Sequence, residues 1–264
     1  MYSIYQWCGR FGNNIQQISN ALYYCKKNKL NFSCPDNDLI NSFQIKFGNE
    51  NCEPNLFFFS RPSITNQGGP HFECDEKELK LQRKFLCKYI YPNLKINFNN
   101  IKELDNDTVV AHIRSGDIFN RKNYYCPVIS RYIQNPLKYY LDIISKFKKC
   151  IILTEDYNNP VLLELSKLNN IEIKILPIQE TIEIMLSAKN LISSGVSSFS
   201  IACGLLSKNL ENFFTSNIIF EEALNNSDLS EIDVHITELD LNKYMKNDQW
   251  LNTEEQRQLM ISYE

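Results

Sequence analysis

Residues 109–118, VVAHIRSGDI, set a histidine, an arginine and an aspartate at the end of an apolar run. Val109, Val110, Ala111 and Ile113 have the branched character of a strand buried on both faces. Ser115-Gly116-Asp117 supplies turn chemistry just beyond it. Open α/β sheets bind ligands outside the carboxyl ends of their strands. There Arg114 is a planar, permanently charged fork suited to gripping a diphosphate through two parallel hydrogen bonds. A plain ion pair between Arg114 and Asp117 fits the same residues.

A second polar cluster lies near the amino terminus, where Trp7-Cys8-Gly9-Arg10-Phe11-Gly12-Asn13-Asn14 follows a strand-like SIYQW and precedes a helix-like IQQISNALYYCKK. Two glycines three apart let backbone amides approach a ligand, and Asn13 and Asn14 stand where they could cap the helix or enter a cleft. The loop has neither a full GxGxxG nor a terminal GK[ST], so its spacing does not point to NAD or ATP. A third cluster, residues 184–200 (IMLSAKNLISSGVSSFS), ends in serines entering a helix. Free amides there make an anion site, and capping by Ser197 or Ser198 is the simpler alternative.

Taken in order, CGRFGNN, HIRSGD and the Ser-Ser-Phe-Ser loop resemble the fucosyltransferase superfamily. CGRFGN is similar to the opening of the protein O-fucosyltransferases, and HIRSGD to the HxRxGD motif of the α-1,2- and α-1,6-fucosyltransferases. The resemblance implies an α/β protein of GT-B type, two Rossmann-like lobes facing across a cleft, with lobes at 1–104 (acceptor side) and 105–240 (nucleotide sugar). A last helix within 241–264 is expected to cross back to the first lobe.

The resemblance also assigns residues. Arg114 would bind the donor's diphosphate, Ser197, Ser198 and Phe199 would line the phosphate and base pocket, and Asn13 would face the reacting centre. His112, Gly12 and Gly116 complete the motif positions on the donor side. The chain departs from the family in having Asn14 where Gln is common, and Ile201-Ala202-Cys203 where aromatics are common. The activity implied is inverting, metal-independent transfer of fucose from GDP-fucose to a glycan hydroxyl, with no cofactor beyond the donor. Another sugar nucleotide, or a non-catalytic glycan- or nucleotide-binding role on the same fold, is the alternative.

The elements that must position these groups alternate strand and helix, as a parallel sheet requires. Helices are expected over 136–149, 160–168 and 181–189, and strands over 150–154, 171–176 and 190–193. Glu155 and Asp156 follow the strand CIILT, where a carboxylate could accept the N–H donors of guanine or simply sit in a solvated turn. Asp117 is the first candidate for a general base, with Glu73 and Asp75 behind it, and equally a residue that merely holds Arg114. Asp105-x-Asp107 has the form of a metal-holding DxD but precedes its strand, so it reads as a turn, leaving Arg114 and helix-terminus amides to stabilise the leaving diphosphate.

Residues 31–100 carry less signal: FFFSRPSITNQGGP ends a strand and enters a loop broken at 67–70, and 76–91 reads as a helix stopped by Pro92. Thr253-Glu254-Glu255-Gln256 opens the last helix. A length of 264 residues with 43% hydrophobic content supports real cores, and a net charge of −3 leaves no footprint for nucleic acid. No apolar run nears the roughly 20 residues that span a bilayer, and residues 1–17 lack a signal-peptide pattern, so a cytoplasmic location is expected. Nine cysteines without a CxxC pair read as free thiols, and His71, His112 and His235 are too dispersed to suggest a metal cluster.

Overall fold

The computed structural model describes residues 2–4, 7, 9–48, 55–57, 82–120, 132–219, 227–243, 245 and 250–264. The expectations placed on Cys8, the breaker at 67–70, His71, Glu73, Asp75 and the first turns of the 76–91 helix lie outside the described residues. Two sheets organise the chain. The first has the order β3-β2-β1-β4, formed by β1 (Tyr2–Ile4), β2 (Phe32–Cys34), β3 (Phe43–Ile45) and β4 (Asn55–Phe57). β1 runs parallel to both β2 and β4, and β3 is antiparallel to β2. The helix α1 (Phe11–Lys27) follows β1, and α2 (Gln82–Phe85) leads through a π-helical turn to the 3₁₀ turn Tyr91–Asn93, where Pro92 falls.

The second sheet carries the motif at 109–118. Its strands are β5 (Thr108–His112), β6 (Lys149–Leu153), β7 (Ile171–Lys174), β8 (Asn190–Ile192), β9 (Asn212–Ser216) and β10 (Asp233–Thr237). All pair in parallel, in the order β10-β9-β8-β5-β6-β7. Counted within this sheet the order is 6-5-4-1-2-3, the doubly wound arrangement, which reverses direction between β5 and β8. Helices α3 (Leu137–Ile144), α4 (Pro160–Leu165), α5 (Ile178–Ser187) and α6 (Ser198–Leu206) intervene between successive strands from β5 to β9.

Strand periodicity of two divides the core. Val109, Ala111, Cys150 and Ile152 pack with α3, α4 and the last helix, α7 (Glu254–Ser262). Val110, Ile151, Leu153, Leu191 and Phe213 pack with α5 and α6 on the other face. That second cluster continues without a break into Ile15, Ile18 and Leu22 of α1 and Tyr2, Ile4 and Phe32 of the small sheet, so the two sheets share one apolar core. β5 is buried at every position, whereas the edge strands β7 and β10 have only half-buried and exposed residues.

Several boundaries move for identifiable reasons. α1 starts at Phe11, so Asn13 and Asn14 do not cap it: their backbone N–H groups donate to the Arg10 carbonyl from within the first turn. α3 stops at Ile144 instead of running to 149, because Lys148 and Lys149 donate their backbone N–H groups to the Asp107 carbonyl and align β6 beside β5. α5 begins at Ile178, three residues early, with Pro177 as its cap and the Thr181 N–H bonded back to the Pro177 carbonyl. α7 opens as its sequence requires, Thr253 accepting the Gln256 N–H at 3.1 Å with Glu254 and Glu255 in the first turn. Rather than crossing back to the first lobe, it packs against α4 and α3 beside the six-stranded sheet.

Cys25, Cys34, Cys87, Cys150 and Cys203 carry free thiols. Burial pushes Cys25, Cys34 and Cys150 up to about 12, which keeps them protonated and unreactive. No helix among the described residues is long and apolar enough to cross a membrane.

Candidate functional site

β5 and β8, the two strands at the switch, release their chains toward the same crevice. After β5 come Arg114 and the 3₁₀ turn Gly116–Ile118; after β8 come Ser193, Ser194 and the loop into α6. The sheet thus brings the HIRSGD and Ser-Ser-Phe-Ser blocks side by side. Arg114, with a side chain 16% exposed, lies with Nη1 3.5 Å from the Val196 carbonyl and Nη2 3.4 Å from Asp117. Its guanidinium carbon lies 4.4 Å from the centre of the Tyr132 ring, a cation–π contact that covers one face of the fork.

The amino-terminal block meets the same place from the other side. Arg10 Nη1 donates to Glu155 Oε1 at 3.1 Å, and its Nη2 lies 3.7 Å from Asp117. Two arginines and two carboxylates therefore alternate across the crevice, Glu155–Arg10–Asp117–Arg114, with no net charge of their own. A diphosphate entering here would compete with Asp117 and Glu155 for both guanidinium groups.

His112 lies beneath this surface. It is 6% exposed, and its Nδ1 is 3.2 Å from Ser200 Oγ and 3.4 Å from Ser194 Oγ. Its ring also leans on Phe199 at 4.9 Å between centroids. Burial, with a contribution from the Arg114 charge, drives its pKa from 6.5 down to about 3, so the imidazole is neutral and hydrogen-bonded rather than a cationic ligand group. Ser197 caps α6 by accepting the Phe199 N–H at 3.3 Å. Ser198 Oγ donates to Asn13 Oδ1 at 3.1 Å, tying α6 to α1.

Gly12 takes part in the same junction. A Cβ at this position would lie 2.6 Å from the carbonyl carbon and oxygen of Ser198, closer than non-bonded atoms approach. Its missing side chain therefore serves the contact of α1 with α6. Gly12→Ala is expected to force the helices apart and to cost about 1–3 kcal/mol, measured by urea unfolding; an unchanged midpoint would show that the junction yields freely.

Asp156 is spent on architecture. It accepts from the Ser115 hydroxyl, the Gly116 N–H at 3.4 Å and both the N–H and the side chain of Asn158 at 2.8 Å. Partial burial pushes its pKa up, and these hydrogen bonds overcome that and hold it below the usual carboxylate value. Gly116 adopts φ +52°, and a Cβ there would lie 2.7 Å from Glu155 Oε2, so the turn beside Arg114 favours glycine on both counts. Asp107 of the DxD pairs with Lys148 at the amino end of β5, opposite the crevice.

Of the residues singled out in the sequence, Arg114, Asp117, Gly116 and Glu155 gather at the strand ends with the Ser197 cap of α6 close by, His112 and Asp156 support them, Phe199 packs its ring against His112 and Phe11, and Gly12, Asn13 and Ser198 join the two helices beside them. Arg10, Ser115, Tyr132, Asn159 and Ser200 were not singled out. Arg10 had a signal in its place between two glycines of a motif, whereas Tyr132 had none. Comparison with family models, with curated proteins and with solved structures gives no match for this chain.

Proposed function

We propose that the chain is an inverting, metal-independent glycosyltransferase that moves a sugar, fucose by motif resemblance, from a GDP-linked donor to a glycan hydroxyl. The observation that carries this reading is the position of Arg114 at the strand-order switch, beside the loop entering α6. A nucleoside diphosphate is the anion such a crevice suits. In the GT-B reading the small sheet with α1 forms the acceptor side and the six-stranded sheet the donor side.

In this scheme the acceptor oxygen forms a bond to the anomeric carbon as the bond from that carbon to the β-phosphate oxygen breaks. The electron pair leaves with GDP, and the acceptor proton passes to a base, for which Asp117 is the nearest carboxylate to Arg114. Arg114 and the amides at the start of α6 take up the leaving group's charge. The cytoplasm is the compartment we assign to this reaction.

A thermal-shift panel of GDP, UDP, GDP-fucose, GDP-mannose and UDP-sugars, with EDTA present, tests the reading. Selective stabilisation by GDP and GDP-fucose followed by transfer is the expected result. A preference for UDP points to another donor, and stabilisation without turnover or hydrolysis to a binding protein.

A further inference from the structure

We propose that Arg257, on the last helix, is a positioning residue for the crevice, setting the two loops that hold Arg114 in place. This rests on the reading of the crevice as a nucleoside-diphosphate site. The loops are residues 115–120, after β5, and residues 154–159, after β6, and they are tied together at three points. Asn159 donates its side-chain N–H to the Arg114 carbonyl at 3.0 Å and its backbone N–H to Ser115 Oγ at 2.9 Å. Asp156 accepts from Ser115 and Gly116. Asn158 donates to Asp156 Oδ2 at 2.8 Å and to Asn120 Oδ1 at 2.6 Å.

α7 closes this lattice from outside. Arg257 Nη2 donates to the Asn158 carbonyl at 2.8 Å, and Nη1 donates to Asn252 Oδ1 at 3.0 Å. Asn252 in turn donates through Nδ2 to the Phe119 carbonyl at 3.1 Å. One guanidinium thus grips the β6 loop directly and the β5 loop through Asn252. Its guanidinium carbon also lies 5.6 Å from the centre of the Phe119 ring, which packs edge-on against Trp250 at 5.3 Å between centroids. Asn252 sits at φ +52°, in the left-handed region that asparagine enters more readily than other residues with a side chain.

The helix has a separate anchor of its own. Met260 is fully buried in the cluster shared with α3 and α4, so α7 docks without needing the Arg257 donors. Those donors are directed at the segments flanking Arg114. A small displacement of such a group can outweigh the loss of a direct contact, because rate and affinity depend steeply on the placement of the fork.

The test titrates GDP by calorimetry into wild type, Arg257→Ala, Arg257→Lys, Met260→Ala, Arg114→Lys and the Arg114→Lys/Arg257→Ala double variant. Hydrogen exchange is followed on each protein without ligand. Arg257→Ala is expected to bind GDP about tenfold more weakly, at the low end for outer partners of a site, with Arg257→Lys intermediate. Met260→Ala is expected to lower the melting temperature and leave GDP affinity unchanged. In the Arg114→Lys background, Arg257→Ala is expected to cost little more, since the group it positions is already altered. Faster exchange in Arg257→Ala should be confined to peptides covering 114–120 and 154–159. Unchanged affinity in Arg257→Ala, the full tenfold loss repeated in the double variant, or an equal loss in Met260→Ala would each overturn the proposal. If wild type takes no nucleotide, the donor-site reading fails on its own; exchange then decides the clamp, upheld by loosening of those two loops and sunk by unchanged protection.

Discussion

Arg114→Ala is expected to abolish stabilisation by GDP and to lower any sugar transfer on the order of 10²–10³-fold, the cost of losing one preorganised group facing developing charge. Arg114 is positioned for that effect. Its backbone is fixed by the Asn159 side chain on its carbonyl, its guanidinium lies over the Tyr132 ring, and its nearest acid, Asp117, is 43% exposed and so readily displaced. Arg114→Lys is expected to keep weaker but measurable GDP binding through its charge and to recover little of the transfer rate, because an ammonium cannot present two parallel donors. The ion pair with Asp117 is solvent-accessible and weak, so the unliganded protein should melt within a few degrees of wild type. Nucleotide stabilisation retained in Arg114→Ala would remove Arg114 from the site.

The second large effect is acid lability through His112. In the folded protein its pKa is lowered to about 3, against 6.5 when unfolded. Between those values the unfolded chain binds a proton that the folded chain refuses, so stability rises with pH. The contribution is fully present above about pH 6.5 and is lost progressively as pH falls toward 3, reaching on the order of a few kcal/mol. Asp156 and Glu172, both held below their usual values, lose their own contributions only as the pH falls through the carboxylate range. Among the described residues whose values are displaced, His112 is the one that acts on the limb between about pH 6.5 and 4.5. His112→Gln should flatten that limb in urea unfolding at stepped pH while leaving the lower limb in place. An acid limb of unchanged slope in the variant would mean that His112 does not carry it.

The two effects have the same origin. Neutral His112, bonded to Ser200 and Ser194, holds the start of α6, and that start stands beside Arg114. The charged group at the surface and the uncharged one beneath it are alternate residues, separated only by buried Ile113. A strand puts consecutive side chains on opposite faces and next-but-one residues on the same side, so the pattern His-x-Arg at a strand end gives one group to the core and lets the chain's turn deliver the other to solvent.

Local physics made much of this legible from residues alone. The branched, largely apolar run at 109–113, closed by turn residues, reads as a strand buried on both faces, and β5 is one. Thr253 and Pro136 marked helix starts because capping is settled within a few residues. That the ends of β5 and β8 bring Arg114 and Asp117 beside the loop entering α6 follows from the way strand ends and helix starts converge in a parallel sheet. What the amino acids could not specify is pairing across distance. Arg10 reaches Glu155 from 145 residues away, and no periodicity encodes that. For Asp156 the residues alone leave a guanine acceptor and a solvated turn equally open, and only the fold surrounds it with four hydrogen-bond donors of the protein itself. Gly12 looked like a ligand-approach glycine and proved to be where two helices touch. The direction taken by α7 was likewise decided by which buried surface remained to be covered, that of α3 and α4. Sequence determined the elements and the chemistry at their ends, because propensity, capping and burial pattern act over a few residues. Tertiary structure decided which of those groups are spent on each other and which remain for a ligand, because that depends on contacts between segments far apart in the chain.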